Sequence, residues 1–160
     1  MFTRITINCF EKMENYQSAL LQFEALLKHI PQALEQLPEH EWKKSLDPGK
    51  WTKLQILGHL IDSATNNHHR IIRAQIETNP VIVYDQVVWN KLNHYTTYAI
   101  PQLIHFWNSY NLHLYFLMQQ LSKEALSTNF CLAPNKPITL EDQLIDYVAH
   151  LQHHLNQILA

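Results

Sequence analysis

Glycine is scarce in this sequence: Gly49 and Gly58 are the only two among 160 residues. A many-stranded β protein needs tight turns with positive backbone φ, which glycine supplies, so the composition argues against that class and for an all-α chain. Cysteine is equally rare. Cys9 and Cys131 have no C-x-x-C spacing and no disulfide pattern, so both read as free thiols. Runs of one charge are missing as well: the net charge is -2 with histidine neutral, and Lys and Arg are scattered, which leaves no electrostatic footprint for nucleic acid. No apolar run approaches the roughly 18 residues of a membrane span, and Met1 to Phe10 lacks the apolar core and cleavage site of a signal peptide. The expectation is one cytoplasmic domain over residues 1–160, without nucleic-acid or membrane partners.

What is present is helical periodicity. A first stripe runs through Tyr16, Leu20, Phe23, Leu27, Ile30, Leu34 and Leu37 in steps of three and four, with Pro31 placed to kink or divide it. Pro48 and Gly49 mark a loop, after which Thr52-Lys53-Leu54-Gln55 has the form of a capping box and opens helix two, predicted to run to about Thr78. Asn79-Pro80 stops it. A crossover of nearly twenty residues follows, until Pro101 marks the first turn of helix three, which carries Leu103, Phe106, Trp107, Tyr110, Leu114, Leu117 and Leu121. Ser122 to Ile138 reads as loop, and Thr139, three residues before Asp142, resembles the N-cap of helix four, Leu140 to Leu159. A long crossover between helices two and three implies a four-helix bundle connected up-down-down-up.

Three histidines give this bundle a candidate centre. His150 and His154 are four residues apart, which puts both imidazoles on one helix face about 6 Å apart. His59 lies about 10 Å from the start of helix two, and the midpoint of His150 and His154 about 10 Å before the end of helix four. Antiparallel packing of these helices brings all three to one level. Three neutral nitrogens around a divalent ion leave a position open for water or substrate, as catalytic sites require. Zinc or nickel comes first, with iron(II), manganese and cobalt also compatible.

Asp62, Asn66 and Arg70 extend the His59 face at steps of three and four. Asp62 is a candidate catalytic group, as a hydrogen-bond acceptor for a ligand imidazole or as a base. Asn66 and Arg70 are candidates for substrate binding, Arg70 through its guanidinium fork toward an anionic group, although an arginine of this kind more often serves an intramolecular ion pair. His153 points away from His154 around the helix and stays outside the ligand set. His68, His69, His94, His105 and His113 read as surface or loop residues, with His94 nearest the expected site because the crossover returns to that end. Trp107 and Tyr110 read as core, and Tyr84 and Trp89 as walls of a pocket.

From about Lys50 to Leu159 the chain resembles the DinB-like superfamily, within it the YfiT-like metal-dependent hydrolases. The resemblance rests on Trp51-Thr52, His59-Leu60-Ile61-Asp62-Ser63, Asn66, Arg70, Tyr84-Asp85 with Trp89, and His150-Leu151-Gln152-His153-His154. It implies the up-down-down-up bundle, a metal site on His59, His150 and His154, and homodimers. The family often has a glutamate after the tyrosine-aspartate pair; Gln86 stands there instead, which removes the ground for an acid–base role at that position. The function expected is a metal-dependent hydrolase acting on a small molecule. The alternatives are transfer of a low-molecular-weight thiol to an electrophile, as the wider superfamily implies, and a non-catalytic metal-binding stress module.

Overall fold

The computed structural model describes residues 3–45 and 47–160, with side chains from residue 15 onward. Cys9 falls outside the described side chains, while Cys131 is a free, buried thiol. Helix one is α1 (Thr3–Glu35), and Pro31 neither divides nor ends it. The proline sits where a single turn remains, so its missing N–H and ring disturb only the Leu27 carbonyl before the helix stops anyway. Leu37 lies past the helix end but still packs on the core. The polar stretch that follows contains a short helix, α2 (Glu39–Trp42), pinned by the 1% exposed Trp42. One turn is too short to show a period.

The capping box opens α3 (Lys53–Ile76): the Gln55 N–H donates to Thr52 Oγ1 at 3.3 Å and the Thr52 N–H to Gln55 Oε1 at 3.0 Å. Asn79 adopts φ 47°, turning the chain away. The crossover is more ordered than a loop. Asp85 accepts from the N–H groups of Val87 and Val88 and caps α4 (Gln86–Leu92), and a 3-10 turn, Tyr95–Thr97, follows. With Val87, Val88 and Leu92 exposed, α4 has no apolar stripe by which sequence periodicity reveals a helix. Pro101 sits in the first turn of α5 (Ile100–Gln119).

The stretch from Ser122 to Ile138, expected as loop, folds instead into α6 (Lys123–Leu126) and an antiparallel hairpin of β1 (Asn129–Cys131) and β2 (Pro137–Thr139). Three-residue strands are too short for a readable alternation. β1 also receives the chain leaving α3, since the Cys131 N–H donates to the Pro80 carbonyl at 2.8 Å and the Ile82 N–H to the Cys131 carbonyl at 3.0 Å. Thr139 then caps α7 (Leu140–Leu159), its hydroxyl accepting from the Asp142 N–H.

The four long helices form a square in which α1 and α3 each pack against both α5 and α7. Side-chain contacts fix the directions. Tyr16, in the first half of α1, donates its hydroxyl to the Met118 carbonyl at the end of α5, so these two run antiparallel. Tyr95, just before α5, lies against Gly58 near the start of α3, and His68 further along meets Tyr110, so α3 and α5 run parallel. His59 near the start of α3 meets His150 toward the end of α7, so those two are antiparallel. The result is the up-down-down-up bundle. Its core centres on Phe23, Trp107 and Tyr147, with Phe23 edge-on to Tyr115 and Tyr147 at 5.8 Å. Phe106, placed in the core stripe by its spacing, is 44% exposed. No described helix is long and apolar enough to cross a membrane.

Candidate metal centre

α3 and α7 bring His59, His150 and His154 together, one nitrogen from each lying within 4.8 Å of the others. The two Nε2 atoms of His59 and His150 are 3.2 Å apart, and the ring of His154 is centred 5.0 Å from His59 and 4.5 Å from His150. Nitrogens each about 2.1 Å from one ion at a near-tetrahedral angle stand at about that Nε2 separation. The donor set therefore fits a divalent ion.

Protonation fits as well. Burial pushes the His59 imidazole down to about 3, with the neighbouring His150 and His154 adding to the shift. Burial, then His154, His153 and Arg70, takes His150 down to about 4, and His154 is lowered by burial too. All three rings are thus neutral near pH 7 and keep a lone pair for a ligand bond. His154 Nδ1 lies 2.7 Å from Gln157 Oε1; an N–H donated there leaves Nε2 as the free ligand nitrogen. Gln157 thereby takes the histidine-orienting part expected of Asp62. Sequence reasoning passed over it, although a polar side chain three residues after a candidate ligand histidine on one helix face is a usable signal. Trp51, another residue given no role by its spacing, sets its ring 5.1 Å from that of His59.

Asp62 faces the crossover rather than a histidine. Its Oδ1 accepts from Asn93 Nδ2 and from the Tyr95 hydroxyl, both at 2.7 Å, while Oδ2 is buried without a partner. Burial raises its pKa against the opposing effect of those two bonds. Gly58 is what lets Tyr95 reach it: a Cβ there would lie 2.1 Å from the Tyr95 ring. The crossover is further held by Asn90, whose Nδ2 donates to the Gln55 carbonyl at 2.7 Å.

Two cavities flank the triad. One, of about 200 Å³, is lined by His59 and His150 together with Ser63, Asn67, Arg70, Tyr84, Gln86, Leu132, Gln143, Asp146 and Tyr147. The other, of about 390 Å³, is lined by His154 with Lys50, Trp51, Ile56, Gln86 and Gln157 among others. Gln86 borders both. Arg70 therefore faces a cavity beside the triad, is only 7% exposed, and makes no ion pair among the described residues. Asn66 is not in that lining; its Nδ2 donates back to the Asp62 carbonyl of its own helix, and it is the next residue, Asn67, that reaches the cavity. Tyr84 lines the cavity as expected, with Trp89 set against its ring at 5.4 Å. Its hydroxyl's pKa is raised by burial and held back by Arg70. Among the other histidines, His94 is exposed, His153 is exposed beside His154, and half-buried His68 bonds the Tyr110 hydroxyl on the α5 side.

Fold and donor set together define a class, a four-helix bundle in which histidines from two antiparallel helices converge on one point. The chain belongs to the DinB superfamily, which it matches over residues 22–158. It is 30% identical over 146 residues to a Bacillus subtilis protein named "Putative metal-dependent hydrolase YfiT", covering 83% of this chain and 78% of that one. An Oceanobacillus iheyensis protein of the same description is 24% identical over 147 residues, covering 91% and 84%. The solved structure of the Bacillus subtilis YfiT, described as a probable metal-dependent hydrolase with an unusual four-helix bundle topology, superposes with a TM-score of 0.80 at 25% identity, covering 89% of this chain and 83% of that one. A mycothiol-dependent maleylpyruvate isomerase shares the fold at a TM-score of 0.73 and 16% identity, covering 89% of this chain and 60% of that one.

Proposed function

We propose that the chain is a metal-dependent hydrolase of a small molecule, with His59, His150 and His154 as the ligands of a divalent ion, zinc or nickel first. The observation that carries this reading is the 3.2 Å approach of two Nε2 atoms from neutral imidazoles, His59 buried and His150 half-buried, with the third ring beside them. An ion there would supply Lewis acidity and bring the pKa of a water it binds toward neutrality. The protein's own groups do the rest. Gln157 holds His154 in the Nδ1–H tautomer, and Trp51 packs against His59 and limits its rotation. Asp62 acts at one remove: it ties down the crossover that carries Tyr84 and Gln86 over the site.

A second reading, transfer of a low-molecular-weight thiol to an electrophile, is favoured by one feature. The triad borders two cavities that share Gln86 in their linings, one beside His154 and one beside His59 and His150, which gives two reactants separate places next to it. The relatives' names support metal-dependent hydrolysis. The deciding experiment loads the purified chain with zinc, nickel, cobalt or manganese and screens esters, amides and thiol–electrophile pairs. Turnover of an ester or amide that is lost on chelation and in His150→Ala is the expected result. Stoichiometric metal with no turnover in either screen, and a melting temperature unmoved by chelation, would overturn enzymatic function in favour of a vestigial metal-binding module.

A further inference from the structure

Arg70 is a buried guanidinium set at a cavity wall. It is 7% exposed on α3, faces the 200 Å³ cavity that also holds His59 and His150, and has no carboxylate within ion-pair distance among the described residues. Burial lowers the pKa of its guanidinium, and Tyr84 and Asp146 offset that only from a distance; a buried cation with no carboxylate in contact is a substantial cost to the fold. Yet the surroundings hold it in place. Nη1 donates to Asn67 Oδ1 at 3.3 Å, and that same oxygen accepts from Gln143 Nε2 at 3.2 Å, while Asn67 Nδ2 donates to the Ser63 carbonyl at 2.9 Å. Below, the guanidinium carbon stands 5.6 Å from the centre of the fully buried Phe130 ring. Its face and one nitrogen are taken.

What is left is one edge. Nε is buried and has no hydrogen-bond partner, and no described residue bonds Nη2. That Nε–Nη2 edge is the one that takes a carboxylate side-on through two parallel hydrogen bonds. The same helix shows the fit three residues later, where Arg73 Nε and Nη2 donate to the two carboxylate oxygens of Glu77 at 2.6 and 2.8 Å. Arg73 has its partner in the protein. Arg70 does not; Asp146, the acidic residue in its cavity, is exposed, makes no ion pair with it and favours its charge only from a distance.

We propose that Arg70, fixed by Asn67 and Gln143 and backed by Phe130, is the anchor for a carboxylate on the small molecule that occupies the cavity beside His59 and His150. This deepens the proposed function, because it takes that cavity as the substrate's place. The substrate is then a small carboxylic acid whose reacting group lies at the triad end while its carboxylate lies on Arg70. Asn67 and Gln143 are positioning residues, acting through the guanidinium.

The test is direct binding of propionate against its neutral isostere propionamide, followed by NMR in chloride-free buffer, on the full chain with and without zinc. Propionate should bind and propionamide should not. Arg70→Met should weaken propionate binding at least about tenfold and raise the melting temperature, because a buried charge with no carboxylate in contact has gone; an arginine that served only structure would lower it. Should that variant not fold, Arg70→Lys, which keeps the charge and loses the fork, must still lose most of the binding. Unchanged propionate binding in either variant, or equal binding of propionamide, would overturn the proposal. Zinc content measured in parallel separates the two readings. A chain that holds no zinc but binds propionate through Arg70 refutes the metal reading alone, and a zinc-loaded chain indifferent to propionate refutes this one alone.

Discussion

At the scale of single residues, the triad and Gly58 make the sharpest predictions. His150→Ala and His154→Ala should each lose most of the bound metal by elemental analysis while circular dichroism shows nearly unchanged helix. Gln157→Ala, which touches no ion, should weaken metal affinity about 10–100-fold by freeing the His154 tautomer. Metal content that ignores all three changes would mean the ion, if any, lies elsewhere. Gly58→Ala should reverse the usual rule. Alanine in a helix interior ordinarily gains about 0.5–1 kcal/mol over glycine, but here its Cβ meets the Tyr95 ring at 2.1 Å, and overpacking of that kind costs about 1–3 kcal/mol. A urea midpoint at or above that of the unchanged chain would contradict the close approach. The i, i+4 pair and the helix levels place the three histidines from sequence alone. The partners of Asp62 were not legible, because Asn93 and Tyr95 reach it across 31 and 33 residues of an irregular link.

At the scale of elements, the crossover is the informative case. Asp62 is its main polar tether, so Asp62→Ala leaves the Tyr95 hydroxyl and the Asn93 amide without their acceptor and should cost about 2 kcal/mol. Limited proteolysis of the metal-loaded chain should then cut within residues 84–97 much faster, whereas Asp62→Asn, which keeps an acceptor oxygen, should stay closer to the parent. Equal protection of Asp62→Ala would show that Asn90 and packing hold the crossover unaided. The four long helices are legible in their stripes and caps, since Thr52, Pro101 and Thr139 mark three starts by local chemistry. The short pieces are not. α2, α4, α6 and the hairpin are each too brief for a period, and tertiary anchors such as Trp42, Asn90 and Phe130 decide their conformation.

For the molecule as a whole, burying neutral histidines makes the metal-free fold sensitive to acid. His59 has a folded pKa of about 3, below the value of about 6.5 it takes when unfolded. Below pH 6.5 the unfolded chain therefore binds a proton that the native chain refuses, and stability present above that pH is lost as it falls toward the folded value. For His59 the loss is about 1.4 kcal/mol per pH unit, and His150, at about 4, adds to it. Melting temperatures of the metal-free chain should drop between pH 7 and pH 5, and less steeply in His59→Asn. A flat profile would mean the imidazoles are not buried as neutral rings. The up-down-down-up connection was legible from the crossover length, because a short link cannot join the end of one helix to the start of a parallel neighbour.

His59 and His150 meet across 91 residues of chain. Closing so wide a loop is entropically slow and is rewarded only when α3 and α7 have docked. A cobalt ion added during refolding would on that account acquire its three-nitrogen spectrum only once α3 and α7 have docked, making its colour a clock for that step of assembly.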